Sequence, residues 1–469
     1  MKYNAMHKGL IIVFCCLMAM SACKTVKEGN ELPDLKVSAN GRFIATKDEK
    51  PFFWLGDTGW LLFNKLTREE TEMYLEDRKQ KGFNVIQVMV LHTVEAVNVY
   101  GDSALVKKDV ANPKVTEGND FANAEQYDFW DHIDFVIKKA EEKGIYMALV
   151  PVWGGNVKAG HVSQKQGEKY ATFLANRYKN QSNIIWLNGG DIKGSDSLAV
   201  WKTIGKTIND IDEKHLITFH PRGRTSSSDW FHNEKWLDFN MVQSGHKSYE
   251  QDTSANETRH FGEDNWKFIN DDYRLKPTKP TIDGEPSYEG IPHGLHDSLA
   301  TRWTADDVRR YGYWSVLAGA FGYTYGQNEV MQMHKGFSSS TSFGPREKWS
   351  VGMKALGSSQ MIHLKNLMLS KEFFDFVPDQ SLILDQGVRY NYLLATKSKN
   401  SVLVYTYTGR NFKVSMGKIA GDQVNASWYS PRDGKSITIG VFENKGEQTF
   451  NPPAEPKDGN DWVLVLDSK

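Results

Sequence analysis

Cysteine is almost absent from this 469-residue chain, and the three present, Cys15, Cys16 and Cys23, all stand near its start. Beyond Cys23 no disulfide, cysteine-based metal site or catalytic thiol is possible. Net charge is equally scarce: 57 Lys and Arg meet 58 Asp and Glu, for a formal charge of -1. No basic field exists to draw in nucleic acid or an anionic membrane surface. The apolar run from Gly9 to Met20 falls short of the roughly 20 residues a membrane span needs. No Gly-x-Gly-x-x-Gly turn follows the first predicted strand, which disfavours a doubly wound, dinucleotide-binding sheet. No Gly-x-Ser-x-Gly elbow appears, which disfavours a serine esterase. Internal repeats and low-complexity tracts are missing too.

What is present starts with aromatic residues, 12% of the chain, including 14 Trp. Most fill a core, and the surplus can offer flat apolar faces to sugar rings. The first residues have the pattern of an export signal. Lys2 and Lys8 precede the Gly9 to Met20 run, and Met20-Ser21-Ala22 leads into Cys23. This resembles a bacterial lipoprotein signal over residues 1–22, with Cys23 lipidated; an ordinary cleaved signal is the alternative. A lipid there would hold the protein on an outer membrane, cell surface or periplasmic face without a spanning helix. Residues 23–34 read as a polar tether.

From residue 35 to 372 strand-like and helix-like runs alternate. Leu35 to Thr46 surrounds Asn40-Gly41, a two-residue hairpin signal. Strands are predicted at Phe52 to Asp57, Asn84 to Leu91, Tyr146 to Trp153, Ile184 to Asn188, Leu216 to His220, Asp238 to Gln243, Thr281 to Gly284 and Ala320 to Tyr325. Between them, Thr67-Arg68-Glu69-Glu70 is a capping box, Tyr127 to Lys143 has helical period, and Leu198 to Ile211 reads as a helix. Thr304-Ala305-Asp306-Asp307 caps another, and Trp349 to Met368 reads as the last. Eight strands separated by helices predict an α/β fold of the (β/α)8 barrel type. Residues 373–469 change to alternating strands, with turns at Arg432-Asp433-Gly434 and Asn444-Lys445-Gly446, which predicts an all-β sandwich domain.

In such a barrel the C-terminal strand ends meet at one mouth, so polar residues there are the candidate site. Trp186-Leu187-Asn188-Gly189-Gly190-Asp191 and Ile282-Asp283-Gly284-Glu285 each end an apolar strand in glycine and then an acid. Two carboxyls from the fourth and seventh strands are the minimum for cleaving a glycosidic bond, and a separation of about 5–5.5 Å supports the covalent, retaining route. Asp191 is read as general acid/base and Glu285 as nucleophile. Asp57 is a candidate to bind sugar hydroxyls or to hold another side chain, and Trp60 to stack on a ring. His92, Trp153, His220, Gln243, Tyr325 and Gln327 end other strands and supply neutral hydrogen-bonding or stacking groups, as an uncharged polyhydroxylated ligand requires. His220, His246, His293 and His296 are candidate metal ligands, but no His-x-His follows the first strand and His293-Gly294-Leu295-His296 lacks zincin spacing. The reading therefore needs no metal and no cofactor.

The Pro51-Phe52-Phe53-Trp54-Leu55-Gly56-Asp57-Thr58-Gly59-Trp60 stretch, the run ending in Asp191, and Asp283-Gly284-Glu285-Pro286-Ser287-Tyr288-Glu289 together resemble the apiosidase-like glycoside hydrolases, family 140. Trp428-Tyr429-Ser430-Pro431-Arg432-Asp433-Gly434 resembles the small β domain, labelled collagen-binding, that follows those barrels. The resemblance implies removal of apiose from the pectin rhamnogalacturonan II, with the catalytic aspartate and glutamate falling on Asp191 and Glu285, and it brings Tyr288 into the binding set. Three other readings stay open: a non-catalytic glycan-binding lipoprotein, a glycosidase for an arabinofuranoside or galactoside, and an adhesin acting through the tail. The lipoprotein reading predicts that Cys23→Ser abolishes incorporation of labelled fatty acid and moves the protein from the membrane to the soluble fraction; unchanged fractionation refutes it.

Overall fold

The computed structural model describes residues 31–336 and 341–469. The predicted signal, Cys23 and most of the tether lie outside the described residues. All eight predicted barrel strands form: β1 (Trp54–Thr58), β2 (Val85–Leu91), β3 (Tyr146–Val152), β4 (Ile184–Ile192), β5 (Ile217–Pro221), β6 (Asn240–Gln243), β7 (Thr281–Asp283) and β8 (Gly322–Tyr325). They lie parallel in chain order, and β8 returns to pair with β1. The seam between β5 and β6 closes without a regular ladder. The Asp238 amide donates to the Ile217 carbonyl, its carboxylate accepts from the Ile217 amide at 2.7 Å, and the Thr218 hydroxyl donates to the Phe239 carbonyl at 2.6 Å. A side chain thus completes the hydrogen bonds that buried strand edges must make.

Both faces of the sheet are buried, so the strands read as near-continuous apolar runs. Alternate residues nevertheless part company. Val85, Met89, Ala148, Val150, Ile185 and Leu187 fill the barrel interior with Trp54 and Phe239. Ile86, Val88, Met147, Leu149, Ile184 and Trp186 face outward onto helices through Trp130, Leu174 and Trp201. The helix starts follow local chemistry. In Arg68–Gln80 the Thr67 hydroxyl accepts from the Glu70 amide and Glu70 returns the bond; Asp128, Ser163 and Thr304 make the same reciprocal cap.

Two local expectations are corrected. Asn40-Gly41 is not a two-residue turn: Leu35–Val37 pairs with Ile44–Thr46 across a longer loop, closed by the Ser38 amide donating to the Phe43 carbonyl. The last barrel helix is two pieces, Trp349–Gly352 and Leu356–Leu369, because the Gly357 amide is captured by the Glu289 carboxylate at 3.0 Å and begins a fresh first turn.

After the barrel comes an all-antiparallel domain. Its main sheet has six strands, and Phe412–Ser415 pairs with Glu447–Phe450 as a small second layer. One face of the large sheet, with Leu403, Tyr405 and Val465, packs on the barrel helix Ala305–Leu317, where Tyr405 stacks on Tyr313 at 4.9 Å. The buried Arg309–Asp461 ion pair crosses the same junction at 2.9 Å.

Inside the barrel wall, Asp57 is fully buried, with Arg78 Nε at 2.7 Å and the Tyr74 hydroxyl donating at 2.6 Å. Removing one partner of a buried pair leaves the other charge unmatched and costs about 3–5 kcal/mol. Arg78→Leu is expected to lower stability by that order in a denaturant titration, and a loss below about 1 kcal/mol contradicts this account of the pair.

Candidate active site

The strand ends open into a cavity of about 950 Å³ that holds both predicted acids. Asp191 reaches it through an irregularity in β4. Gly189 pairs with His220 and Ile192 with Pro221, so two residues of β4 stand opposite nothing on β5. Gly189, Gly190 and Asp191 have φ of 95°, 111° and 47°, a left-handed stretch that only glycine and a short polar residue take at low cost. A side chain on Gly190 would also strike the Trp153 ring, its Cβ lying 2.6 Å from Cε3. This bulge re-aims Asp191 into the cavity, where its side chain stays exposed within enclosing walls.

Glu285 follows β7. The Gln87 amide donates to the Gly284 carbonyl at 2.7 Å, and the buried Asp283 carboxylate accepts from the Ser244 hydroxyl at 2.6 Å and from Asn265 at 3.1 Å. These bonds fix the strand end. Glu285 itself is 7% exposed and is held by two rings: His246 Nε2 lies 3.2 Å from Oε1, and His220 Nε2 lies 3.2 Å from Oε2. The Asp191 main-chain amide donates to His220 Nδ1 at 3.2 Å. That bond leaves Nδ1 as acceptor, so the ring proton sits on Nε2, facing Glu285.

The two carboxyls are driven apart in acidity. Burial raises Asp191, the nearby Glu285 charge raises it further, and His220, the Gly223 amide and Gln243 only partly offset this. Burial would raise Glu285 as well, but the His220 ring facing it and the His246 hydrogen bond overcome this and hold that carboxyl well below the usual range. Tyr288, buried at the cavity wall, keeps its proton because burial and the Glu285 charge push its hydroxyl far up. Its ring meets His246 edge-on at 4.8 Å, and Gly326 makes room for it: a Cβ there would lie 2.1 Å from the ring.

Trp60, His92, Trp153, Gln243 and Tyr288 line the cavity beside the acids, as the sequence predicts. Trp60 and Trp153 meet at 5.4 Å, and the Trp60 ring lies edge-on to His220 at 5.2 Å. His220 is fully buried and acts on Glu285 from behind rather than as a lining residue. Three predicted ligand contacts are corrected. Asp57 is sealed in its pair with Arg78 and takes the alternative role of holding another side chain. Tyr325 is fully buried and donates to Glu289 at 2.6 Å. Gln327 caps the next turn, its Oε1 accepting from the Val330 amide. Each strand-end polar group met a partner inside the wall, which a one-dimensional pattern does not reveal. Of the four histidines weighed together, His220 and His246 meet at Glu285, His296 lines the cavity, and His293 stacks on Trp303 at 3.8 Å. Lys65 and Arg222 line the cavity and escaped the sequence reading; the His220-Pro221-Arg222-Gly223-Arg224 run directly after β5 was the available signal.

A barrel whose mouth carries one carboxyl raised and one lowered, walled by tryptophan, is that of a glycoside hydrolase. The comparisons carry this further. Residues 38–375 match the family described as "Apiosidase-like, catalytic domain", and residues 377–467 match "Putative collagen-binding domain of a collagenase". A solved structure described as a glycoside hydrolase is 45% identical, with a TM-score of 0.89, covering 93% of this chain and 97% of its own. A glycoside hydrolase family 5 structure from Bacteroides vulgatus ATCC 8482 is 43% identical, with a TM-score of 0.87, covering 93% and 94%. No curated protein matches. The chain belongs to the apiosidase-like family.

The histidine bonds to Glu285 generate a pH prediction. A hydrogen bond to a charged group contributes about 1.5–3 kcal/mol, and about 1.4 kcal/mol is one pKa unit. His246→Ala is expected to raise the Glu285 carboxyl and move the acid limb of the kcat/KM profile upward by about one unit. An acid limb that stays in place refutes the role given to His246.

Proposed function

We propose that this glycoside hydrolase removes a terminal furanosyl residue, apiose, from a pectic polysaccharide such as rhamnogalacturonan II by double displacement with retention of configuration. The observation that carries the mechanism is two carboxyls lining one cavity, with two imidazoles facing Glu285 and, among the described residues, no cation paired to Asp191. Glu285, kept ionised, attacks the anomeric carbon. Asp191, kept protonated, gives its proton to the departing glycosidic oxygen as the C–O bond breaks. The resulting glycosyl ester on Glu285 is opened by water, from which the Asp191 carboxylate takes a proton, and both groups return to their starting states. Trp60 and Trp153 offer apolar faces to the sugar, and Gln243 a hydrogen-bonding amide. The family membership supports apiose, and the hydrogen-bonding groups of the lining suit a hydroxyl-rich ring. The Cys23 motif supports a lipid-anchored, exported enzyme placed where cell-wall fragments arrive.

Three measurements test this. Asp191→Ala and Glu285→Ala are each expected to lower turnover of an apiose-containing rhamnogalacturonan II fragment by about 10³-fold or more. Unchanged turnover in either removes its assigned role, and hydrolysis only of arabinofuranosides or galactosides replaces the sugar. Proton NMR of the first-formed product is expected to show the substrate's anomeric configuration; an inverted product removes the nucleophile role of Glu285. Because Asp191 must carry a proton and is raised to about 6, activity is expected to fall as pH rises through that value.

A further inference from the structure

The loop after β6, residues 245–262, is a partition. On one side His246 and Lys247 line the catalytic cavity; on the other Tyr249, Asp252 and Phe261 line a second cavity of about 440 Å³. That volume lies in the range of small-ligand sites. Its opposite wall comes from the β domain, through Arg389 and Tyr392. Three contacts lock this wall to the barrel. Tyr392 stacks on Trp266 at 4.2 Å with planes 5° apart, Tyr390 donates to Glu263 at 3.0 Å, and the Arg389 guanidinium sits 4.7 Å over the Tyr249 ring.

The chemistry of this cavity is aromatic and internally neutralised. Tyr249, Phe261, Trp266 and Tyr392 are each partly exposed. The Asp264 carboxylate is taken up by the Tyr249 hydroxyl at 2.5 Å and by Lys267 at 2.8 Å. One Asp252 oxygen is bound to Arg224 and to the Gly262 amide. Two polar atoms remain: Trp266 Nε1, a donor, and Asp252 Oδ1, an acceptor, are buried and have no hydrogen-bond partner; His260 Nδ1 lies 3.7 Å from Oδ1. Asp252 is 7% exposed. Buried polar atoms normally find partners, so this pair waits for a ligand with both donors and acceptors. Ring faces with one free donor and one free acceptor, beside an Arg389 guanidinium that faces Glu250 at 3.7 Å, are complementary to sugar rings.

We propose that this cavity is a second glycan-binding site, holding sugar residues of the polysaccharide away from the bond that is cleaved, and that the β domain supplies its outer wall. Arg224 ties the two sites together: it lines the catalytic cavity and reaches through the partition to Asp252. The proposal goes beyond the catalytic reading and takes from it only that the protein meets glycans.

The test is binding by the full chain carrying Glu285→Gln, so that turnover does not intervene. Affinity electrophoresis against rhamnogalacturonan II, arabinan, galactan and mannan gives retention constants. At least one polymer is expected to retain the protein, Trp266→Ala to weaken that retention about tenfold, and Tyr392→Ala to act in the same direction. Arg389→Ala, on a side chain 63% exposed and so no threat to folding, is expected to weaken it about threefold. Retention by none of the polymers, or retention untouched by Arg389→Ala and Tyr392→Ala, overturns the proposal. A wrong sugar assignment at the catalytic cavity would appear instead as absent hydrolysis by the unsubstituted chain with this binding intact.

Discussion

The site depends on how one buried carboxylate is kept charged. Burial pushes Glu285 toward its protonated form, and the two imidazole rings that face it turn that balance. Which nitrogen of His220 bears the proton is decided by the backbone of Asp191, the other acid. The β4 bulge therefore does two jobs at once. It swings the Asp191 side chain into the cavity, and it aims the Asp191 amide at His220 Nδ1. Geometry for the acid and ionisation of its partner come from the same three left-handed residues.

A second buried charge system stands behind the first. Asp57, Arg78 and Tyr74 occupy the junction of β1 and the Arg68–Gln80 helix, while Glu289 joins Tyr325 to the start of the Leu356–Leu369 helix. Neither touches the cavity. Both bind the β8–β1 side of the barrel to its helices, the side from which Trp60 and Tyr288 project. Burying charges gains little stability against apolar packing of the same volume. Its effect here is directional, because each carboxylate accepts from fixed donors on two different elements.

The fold was legible because apolar runs of strand length, most of them ended by glycine or proline, marked all eight barrel strands. Asp191 and Glu285 were legible as candidates because each follows glycine at the end of an apolar strand, the fourth and the seventh. Asp57, Tyr325 and Gln327 look the same in one dimension, yet their partners Arg78, Glu289 and Val330 lie on other elements or turn away from the mouth. Pairing across the fold, not the residue itself, separates a ligand contact from a wall contact. Lys65 and Arg222 were missed because Lys65 ends the short Leu62–Lys65 helix and Arg222 follows β5, so neither direction is set by strand register.

The β domain also acquires a physical role from its packing. Its large sheet uses one face for its own small core, with Phe412 and Phe450, and gives the other face to the barrel helices. A domain tethered only by a linker would move on its own, but the apolar face, the Arg309–Asp461 pair and the Tyr390–Glu263 bond act together across this junction. The relative position of Tyr392 and Trp266 is thereby fixed. A stack with planes 5° apart between two domains persists only if both backbones are held. The same rigidity that places these rings keeps the 245–262 partition in register. The wall behind His246 is accordingly braced from the side of the β domain, and the histidine that keeps Glu285 ionised inherits that support.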